Sequence, residues 1–258
     1  MQSKRLLGRN ILVTGGSSGI GRAIVEACID AGASVSVISR RAPDSWDPPW
    51  VGAERPNWIR ADLADSRLLK SALSAFVNAG EELDVIFHAA VDYGGNLRGS
   101  LVKMSEQGMN SAIDTNLRGY LILLQSMLPM LLSMPSALIV CVTSEVVFNG
   151  GPFRIPYSAT KAAQHVVTND LAFELAETSI RVVELLPSGM VATPGIARRR
   201  TSTSALAAYA SPKSFQNVAV LLSETLGEGF HGECLVVEPD GAFGRRGGTV
   251  QSQTRRSP

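Results

Sequence analysis

The chain has 258 residues, of which 45% are hydrophobic and 18% charged. It can therefore bury a sizeable core, and it is too apolar to be largely disordered. The formal net charge is +1, and the last fourteen residues hold four arginines and no acid, so removing those four charges leaves −3 on the rest. Such a body gives no electrostatic reason to expect a nucleic-acid partner.

Cysteine usage and hydropathy argue against a metal centre, a disulfide framework and a membrane span. Cys28, Cys141 and Cys234 lie far apart in apolar segments, without the paired spacing of a zinc or redox site. The longest apolar segment, Leu121 to Leu132, is interrupted by polar residues and a proline and is too short to cross a bilayer. No signal-peptide hydrophobic region precedes the first predicted strand. We therefore expect a reduced cytoplasmic protein that contacts neither membranes nor nucleic acids.

The first predicted element is a strand over Asn10 to Thr14, followed by the glycine-rich sequence Gly15-Gly-Ser17-Ser18-Gly19-Ile20-Gly21. Apolar residues then recur at helical spacing, so the pattern predicts a strand, a tight turn and a helix. Glycines at such a turn let the backbone approach a pyrophosphate, whose charge is met by amides at the helix N-terminus. The start of the chain therefore predicts a dinucleotide-binding turn.

The second predicted strand, Ser34 to Ile38, ends in Ser39-Arg40-Arg41. A site for NAD usually places a carboxylate here to bind the ribose 2′-hydroxyl, whereas a 2′-phosphate favours a cation. Ser39 stands where the acid is expected and Arg40 follows it, which favours NADP(H) over NAD. The alternative is that both arginines are solvated loop charges.

A long proline-containing loop, Ala42 to Asn57, precedes a third short strand that ends at Ala61. Asp62 and Leu63 follow this strand, where an adenine ring would lie. Asp62 could accept a hydrogen bond from the adenine amino group. Capping of the helix that begins near Ser66 explains this residue equally well.

The fourth predicted strand, Leu83 to Phe87, has the exit His88-Ala89-Ala90-Val91, and a mostly helical segment covers residues 101 to 132. Asn116 lies inside that segment. An amide inside a helix is unfavourable without a partner, so we expect Asn116 to face the functional edge of the sheet.

The fifth predicted strand, Leu138 to Thr143, places Ser144 at its carboxyl end, where ligands bind in an open α/β sheet. Tyr157 and Lys161 follow in a helix predicted over Tyr157 to Ala176, and residues four apart share one helix face. A neighbouring cation favours phenolate, which makes a phenol a better proton donor or acceptor near neutral pH. Taken alone, this spacing is also common on solvated helix faces.

The remaining elements complete a single domain over residues 1 to 244. They comprise a sixth strand ending at Leu185, a predicted mobile flap at about 190–212, a helix from Pro212 to Leu226 and a strand from Glu233 to Val237. The polar residues 245–258 are expected to be disordered. Strands that alternate with helices throughout predict an α/β fold with one doubly wound parallel sheet of about seven strands.

With these elements placed, the chain resembles the short-chain dehydrogenase/reductase superfamily in its single-domain branch. The resemblance covers about residues 8 to 243 and implies a Rossmann-type fold with helices on both faces of the sheet. It rests on several motifs that occur in the order and spacing of the family. They are Thr14-Gly15-x-x-x-Gly19-x-Gly21, Asp62-Leu63, Asn116, Ser144, Tyr157-x-x-x-Lys161 and Gly189-x-Val191-x-Thr193.

The resemblance implies a distinct role for each motif residue. Tyr157 would pass a proton to or from the substrate oxygen, Lys161 would lower the phenol pKa and hold the nicotinamide ribose, and Ser144 would bind the substrate oxygen. Asn116 would hold a water that links Lys161 to bulk solvent. Ala89, Val191 and Thr193 would line the cofactor site, and the protein would form a homotetramer or homodimer through the helices at 101–132 and 157–177.

Two departures from the family pattern qualify this resemblance. His88-Ala-Ala-Val91 replaces the usual Asn-Asn-Ala-Gly, so Val91 should narrow the site or shift the loop. For His88 we expect ring stacking or a backbone hydrogen bond rather than catalysis. Ser188 replaces a common proline, with a local effect.

The expected substrate pocket is formed by residues 91–97, 145–155 and the flap, with Val91, Tyr93, Glu145, Phe153 and Met190 as candidate contacts. Glu145 and Tyr93 could instead serve the loops that carry them. The pocket is largely apolar, so we predict a ketone or secondary alcohol on a moderately hydrophobic body. The alternatives are an enone or imine reductase, an epimerase, and a non-catalytic sensor that binds NADP(H).

Overall fold

The protein is described by a computed structural model that covers residues 4–93, 100–198 and 206–247. Within these ranges the chain forms eight strands. They are β1 (Asn10–Thr14), β2 (Ser34–Ser39), β3 (Asn57–Arg60), β4 (Val85–His88), β5 (Ala137–Val142), β6 (Ile180–Pro187), β7 (Cys234–Val237) and β8 (Phe243–Arg245).

Seven α-helices accompany these strands in the described part of the chain. They are α1 (Gly19–Asp30), α2 (Ser66–Asn78), α3 (Glu106–Ile113), α4 (Gly119–Leu132), α5 (Ile155–Glu174), α6 (Pro194–Ala197) and α7 (Gln216–Thr225). No helix among the residues described combines the length and apolar character needed to cross a membrane.

The strands pair in the order β3-β2-β1-β4-β5-β6-β7-β8. The first seven are parallel, and the strand order reverses between β1 and β4. In open α/β sheets, ligands bind at such a reversal, outside the carboxyl ends of the strands. The predicted doubly wound α/β fold is therefore confirmed, and its topology places the functional edge at the ends of β1 and β4.

The eighth strand was not predicted from the sequence. Phe243–Arg245 pairs antiparallel with β7, so Arg245 belongs to the sheet rather than to a disordered tail. Three residues are too few to show an alternating pattern, and the strand exists only because β7 offers a free edge. Residues 248–258 of the expected tail lie outside the described residues.

The core forms one layer on each face of the sheet because the strands are buried on both sides. Ile11 and Val13 point toward one face and pack with residues of α1 and α7. Leu12 points to the other face and packs with residues of α2 and α4. Strands that are buried on both faces read as continuous apolar runs, as β5 does, and this is why they are readily predicted from sequence.

The segment predicted as mostly helical at 101–132 is divided in the structure. A 3₁₀ turn at Leu101–Lys103 and helix α3 precede one π-helical turn, Asp114–Arg118, which leads into α4. A π turn adds a residue to the helical cycle and is frequent at functional sites. Here the turn carries Asn116, which is fully buried.

Candidate active site

Loops from six parallel strands meet at the carboxyl edge of the sheet and enclose two cavities. The larger has a volume of about 440 Å³ and runs from the glycine turn after β1 to Lys161 on α5. The smaller has a volume of about 120 Å³ and lies against Ser144 and the residues after β6. Both cavities are lined by Ile20, Tyr93, Thr143, Tyr157 and Thr193. The two cavities therefore adjoin along a shared wall that includes Tyr157.

The glycine turn after β1 fits a dinucleotide. Gly15 has φ +73°, and a Cβ on this residue would lie 2.6 Å from the Ala90 Cα. A Cβ on Gly21 would lie 2.4 Å from the Gly15 carbonyl oxygen. The backbone therefore passes too closely for side chains at these positions. Gly19 and Ile20, the first residues of α1, line the larger cavity, where a helix N-terminus favours an anion.

Most of the predicted cofactor residues line the larger cavity. They are Gly15, Ser17, Ser18, Gly19, Ile20, Arg40, Asp62, Leu63, Ala89, Tyr157, Lys161 and Thr193. Gly21 lies behind the turn, and Val191 lines the smaller cavity instead. Val191 also forms a parallel bridge with Ala210, which joins the two ends of the predicted flap, while residues 199–205 lie outside the described residues.

Three of the four proposed catalytic residues, all except Asn116, come from two elements at the same sheet edge. Ser144 follows β5, and its hydroxyl donates a 2.9 Å hydrogen bond to the carboxylate of Glu145. Tyr157 and Lys161 lie on α5, and the Tyr157 ring packs on Tyr93 with a centroid separation of 4.9 Å. Ser144 lines the smaller cavity, Lys161 lines the larger, and Tyr157 lines both.

Lys161 is a buried ammonium with defined partners. Its Nζ donates to the Val142 carbonyl at 2.7 Å and to Gln164 Oε1 at 2.8 Å. Burial lowers the pKa of Lys161 to about 8, and the neighbouring Cys141 and Glu184 act in the opposite direction. The side chain therefore carries a positive charge at neutral pH and changes protonation state in an accessible range.

Asn116 is held by three hydrogen bonds from its side chain. The carboxamide accepts from the Asp92 amide at 2.6 Å and donates to the Asp92 carbonyl and to Thr160 Oγ1 at 2.6 and 2.9 Å. The amide thus has the partners that its place inside a helix requires, and it ties the loop after β4 to α5. Its role in holding a relay water stays a prediction.

His88 at the end of β4 is fully buried and stacks on the ring of Tyr120, with a centroid separation of 4.4 Å. Its Nδ1 lies 2.9 Å from Thr14 Oγ1, and its Nε2 lies 3.0 Å from Gln164 Nε2. The expected stacking is present, but the hydrogen bonds go to side chains rather than to the backbone. Burial and the charge of Lys161 lower the pKa of His88 to about 3, so the ring is neutral.

The adenosine end of the larger cavity is polar and carries positive charge from Arg40. One terminal nitrogen of Arg40 lies 3.9 Å from a carboxylate oxygen of Asp62, and both side chains are exposed. Such a pair is weak, so the guanidinium can turn toward a ligand. Asp62 accepts from the Ala64 amide, whereas Asp65 caps α2. The alternative that Asp62 caps this helix is therefore wrong.

Of the five predicted substrate contacts, the structure places Tyr93, Glu145, Phe153 and Met190 on the smaller cavity. Val91 lines the larger cavity instead, because the loop after β4 turns toward the cofactor side. Residues 94–97 of the expected pocket lie outside the described residues. Phe153 has φ +60°, an uncommon backbone conformation for a bulky residue that costs about 1–3 kcal/mol and is typical of functional loops.

A buried carboxylate behind the site was not identified from the sequence. Glu184 on β6 is 1% exposed; it accepts a hydrogen bond from Thr143 and lies 2.7 Å from His165 Nδ1 on α5. The hydrogen bond to Glu184 raises the pKa of His165, and partial burial opposes this effect. The pair therefore joins β6 to α5 directly behind the site.

This pair predicts a pH-dependent contribution to stability. Because the folded-state pKa of His165 lies above its ordinary value, the contribution is fully present below about pH 6.5 and is lost as pH rises through the folded pKa. We expect His165→Gln to lower the free energy of unfolding by about 1 kcal/mol at pH 6, and by less at pH 8.5. Urea denaturation over this range measures the difference.

The matched control is His231→Gln, which removes an imidazole that contacts only backbone groups, at Val182 and Ala172. A difference between wild type and His165→Gln that grows with rising pH would contradict the assignment of the ion pair.

The fold and the two adjoining cavities are those of a dinucleotide-binding α/β protein. A sequence model described as short chain dehydrogenase matches residues 9–204. The chain therefore belongs to the short-chain dehydrogenase/reductase family of oxidoreductases.

Individual relatives agree with this assignment. An uncharacterized oxidoreductase of Staphylococcus epidermidis is 31% identical over 183 residues, covering 71% of this chain and 78% of the relative. A 3-oxoacyl-[acyl-carrier-protein] reductase of Chlamydia pneumoniae is 27% identical over 243 residues, covering 90% and 96%. A solved structure from Beutenbergia cavernae, whose description proposes an NAD(P) dependent gluconate 5-dehydrogenase with NADP bound at low occupancy, has 28% identity and a TM-score of 0.77, covering 92% and 96%.

Proposed function

We propose that the protein is an NADP(H)-dependent oxidoreductase that interconverts a ketone or aldehyde and an alcohol. The observation that carries this proposal is the junction of the two cavities at Tyr157, with Lys161 on the larger side and Ser144 on the smaller. A binding protein without turnover has no need of a phenol, an ammonium and a hydroxyl at the boundary between cofactor and substrate.

Each side chain has a task in this reaction. NADP(H), when bound, supplies or accepts the hydride. Ser144 binds the substrate oxygen, and Tyr157 gives it a proton during reduction or removes one during oxidation. Lys161, charged at neutral pH and lining the cofactor cavity, holds the ribose and favours the ionised form of the phenol. Thr193, the N-cap of α6, and Val191 line the cavities and would contact the nicotinamide end.

The choice of NADP(H) rests on the end of β2. Ser39 stands where an acid would bind a ribose 2′-hydroxyl, and its hydroxyl donates to the Arg41 carbonyl at 2.8 Å. Arg40 follows with a guanidinium that is held only by a weak ion pair. The NADP in the solved structure from Beutenbergia cavernae also supports this choice.

Replacement of Arg40 tests the cofactor preference. We expect wild type to bind NADPH more tightly than NADH, and Arg40→Ser to weaken NADPH binding by about 10- to 100-fold, because a charge-assisted contact to phosphate is lost. NADH binding should change by less than about 3-fold. Fluorescence titration measures both constants. Arg181→Ser, at the amino end of β6, is the control for loss of charge. Tighter binding of NADH than of NADPH by wild type would contradict the proposal.

The substrate end is a small cavity with mixed walls. Val146, Phe153, Met190 and Ile196 supply apolar surface, while Ser144, Glu145 and Arg154 supply polar groups. We propose a carbonyl or secondary alcohol on a moderately hydrophobic body, with Glu145 and Tyr93 able to contact polar substituents. The test is a panel of simple ketones, a 3-oxoacyl thioester, a sugar-acid ketone and an enone, followed by NADPH absorbance. Turnover of the enone alone would replace this proposal with enone reduction.

A homo-oligomer is the expected assembly, in a cytoplasmic setting. Helices α4 and α5 carry exposed apolar side chains, including Leu121, Leu132, Val166 and Phe173. Apolar patches of this kind mark interaction surfaces, which supports the predicted homotetramer or homodimer. Light scattering coupled to size-exclusion chromatography tests it, and a monomer over the working concentration range would exclude it.

A further inference from the structure

Gln164 lies one turn after Lys161 on α5 and is fully buried. Its carboxamide contacts three groups from different parts of the chain. Oε1 accepts from Lys161 Nζ at 2.8 Å. Nε2 donates to the backbone carbonyl of Asn116 at 2.6 Å and lies 3.0 Å from His88 Nε2. Burying a polar side chain costs free energy unless it is hydrogen-bonded, and here both the oxygen and the nitrogen of the carboxamide have partners.

The network has a single consistent set of protons. A carbonyl can only accept, so the Asn116 contact fixes the amide nitrogen of Gln164 on that side, and the oxygen then faces the ammonium. His88 Nε2 must therefore be an acceptor, which leaves the ring proton on Nδ1, next to Thr14 Oγ1. The neutral state of the buried His88 agrees with this assignment.

We propose that Gln164 is a positioning residue: it fixes the Lys161 ammonium at the wall of the larger cavity, which Tyr157 also lines, by occupying the space between Lys161 and the backbone carbonyl of Asn116. The family resemblance implies instead a water held by Asn116 that links Lys161 to bulk solvent. A carboxamide anchored at three points holds the ammonium in one place, whereas a water exchanges. The expected effect of Gln164 on turnover rests on the proposed function, but the positioning of Lys161 by Gln164 does not.

Several titratable groups lie near Lys161 and must be considered in any pH experiment. His88 on β4, Cys141 on β5 and Glu184 on β6 interact electrostatically with Lys161, and Tyr120 on α4 stacks on His88. Tyr157 lies one turn earlier on α5 and lines the same cavity as Lys161. Gln164 is uncharged, so replacing it with a charged or an apolar residue of similar size should move the Lys161 titration in opposite directions.

The first experiment measures Lys161 directly in the free protein, without cofactor or substrate. Carbon-13 lysine labelling gives the titration midpoint, and Lys161→Arg assigns the signal. Gln164→Glu should raise the midpoint by about one pH unit or more, because it places a carboxylate on the ammonium. Gln164→Met should lower it by about 0.5 to 1 unit, because an acceptor for the charged form is lost.

The second experiment measures turnover on the best substrate of the panel. Gln164→Met should reduce kcat by about 10- to 100-fold while the substrate KM stays within about 3-fold. A displaced ammonium impairs the proton transfer rather than the binding of substrate. The pH profile of kcat should move in the same direction as the Lys161 midpoint in each variant. Thr168→Val is the matched control. This buried α5 hydroxyl contacts the Tyr120 hydroxyl and the backbone carbonyl of Gln164, not Lys161.

The outcomes are distinguishable. Lys161 midpoints within about 0.2 units of wild type in both variants, or an equal shift in Thr168→Val, would overturn the positioning role. The expected midpoint shifts without wild-type turnover on any substrate would support that role and refute the proposed function. If Gln164→Met does not fold, two other measurements test the proposal: the Lys161 midpoint in Gln164→Glu and the solvent exchange of the Gln164 amide protons in wild type. Slow exchange is expected, and rapid exchange would overturn the proposal.

Discussion

Replacing Tyr157 with phenylalanine should lower kcat by about 10²- to 10⁴-fold, the range expected when a general acid–base group is removed. Tyr157 lines both cavities, and the other described tyrosine that does so is Tyr93, whose tilted ring packs against it with a centroid separation of 4.9 Å. The phenylalanine ring preserves this packing. NADPH binding should therefore stay within about 3-fold of wild type, which separates lost chemistry from lost structure.

The control is Tyr209→Phe, which removes a phenol from a residue that does not line either cavity. It should retain wild-type kcat within about 2-fold. Turnover by Tyr157→Phe within about 3-fold of wild type would reject the assigned proton donor, because a phenyl ring has no proton to transfer. Steady-state rates with the best substrate of the panel, measured in both directions, provide the comparison.

Replacing Gly21 with alanine should destabilise the fold and abolish high-affinity cofactor binding. In an ordinary helix, Gly→Ala gains about 1 kcal/mol in propensity. Here the new Cβ would lie 2.4 Å from the Gly15 carbonyl oxygen, and the clashing group is backbone that cannot rotate away. Overpacking of this kind costs about 3 kcal/mol, so the steric term exceeds the propensity gain. The net loss of about 2 kcal/mol corresponds to a fall in Tm of about 4–8 °C.

Gly150→Ala is the matched control, since a Cβ at Gly150 meets no atom within 4 Å. We expect its Tm to lie within about 1 °C of wild type. NADPH affinity should fall by more than about 10-fold in Gly21→Ala, because the displaced turn no longer presents its amides to a pyrophosphate. Calorimetry and fluorescence titration together test this, and an unchanged Tm with unchanged affinity would contradict the described turn.

Local sequence was enough to predict the strands and the motif residues. β5 is apolar throughout because it is buried on both faces, and this run placed Ser144 at its exit. The glycine turn is readable because its backbone geometry excludes side chains, and the Tyr157 and Lys161 pair is readable because helical spacing joins them. Helix and strand ends deviated by a few residues, and the π turn at Asp114–Arg118 had no local signal.

The buried polar network had only weak sequence signals. Gln164 follows Lys161 by three positions on the buried side of α5, and the departure at His88 marked an unusual strand exit, but nothing local joins the two. Their contact spans 76 positions. The link between Glu184 and His165 likewise connects β6 to α5. A polar residue in an apolar segment signals that a partner exists without identifying it.

The sequence by itself determined the family, the parallel sheet, the dinucleotide turn and the residues proposed to transfer the proton, because each depends on neighbours in the chain or on a fixed local period. The tertiary structure alone decided that Tyr157 lines both cavities, that Gln164 bridges the Lys161 ammonium and the Asn116 backbone carbonyl, and that Val91 lines the larger cavity. These arrangements depend on how distant elements pack against one another. Close packing allows only certain pairs of distant side chains to come into contact, and no local sequence pattern specifies which pairs these are.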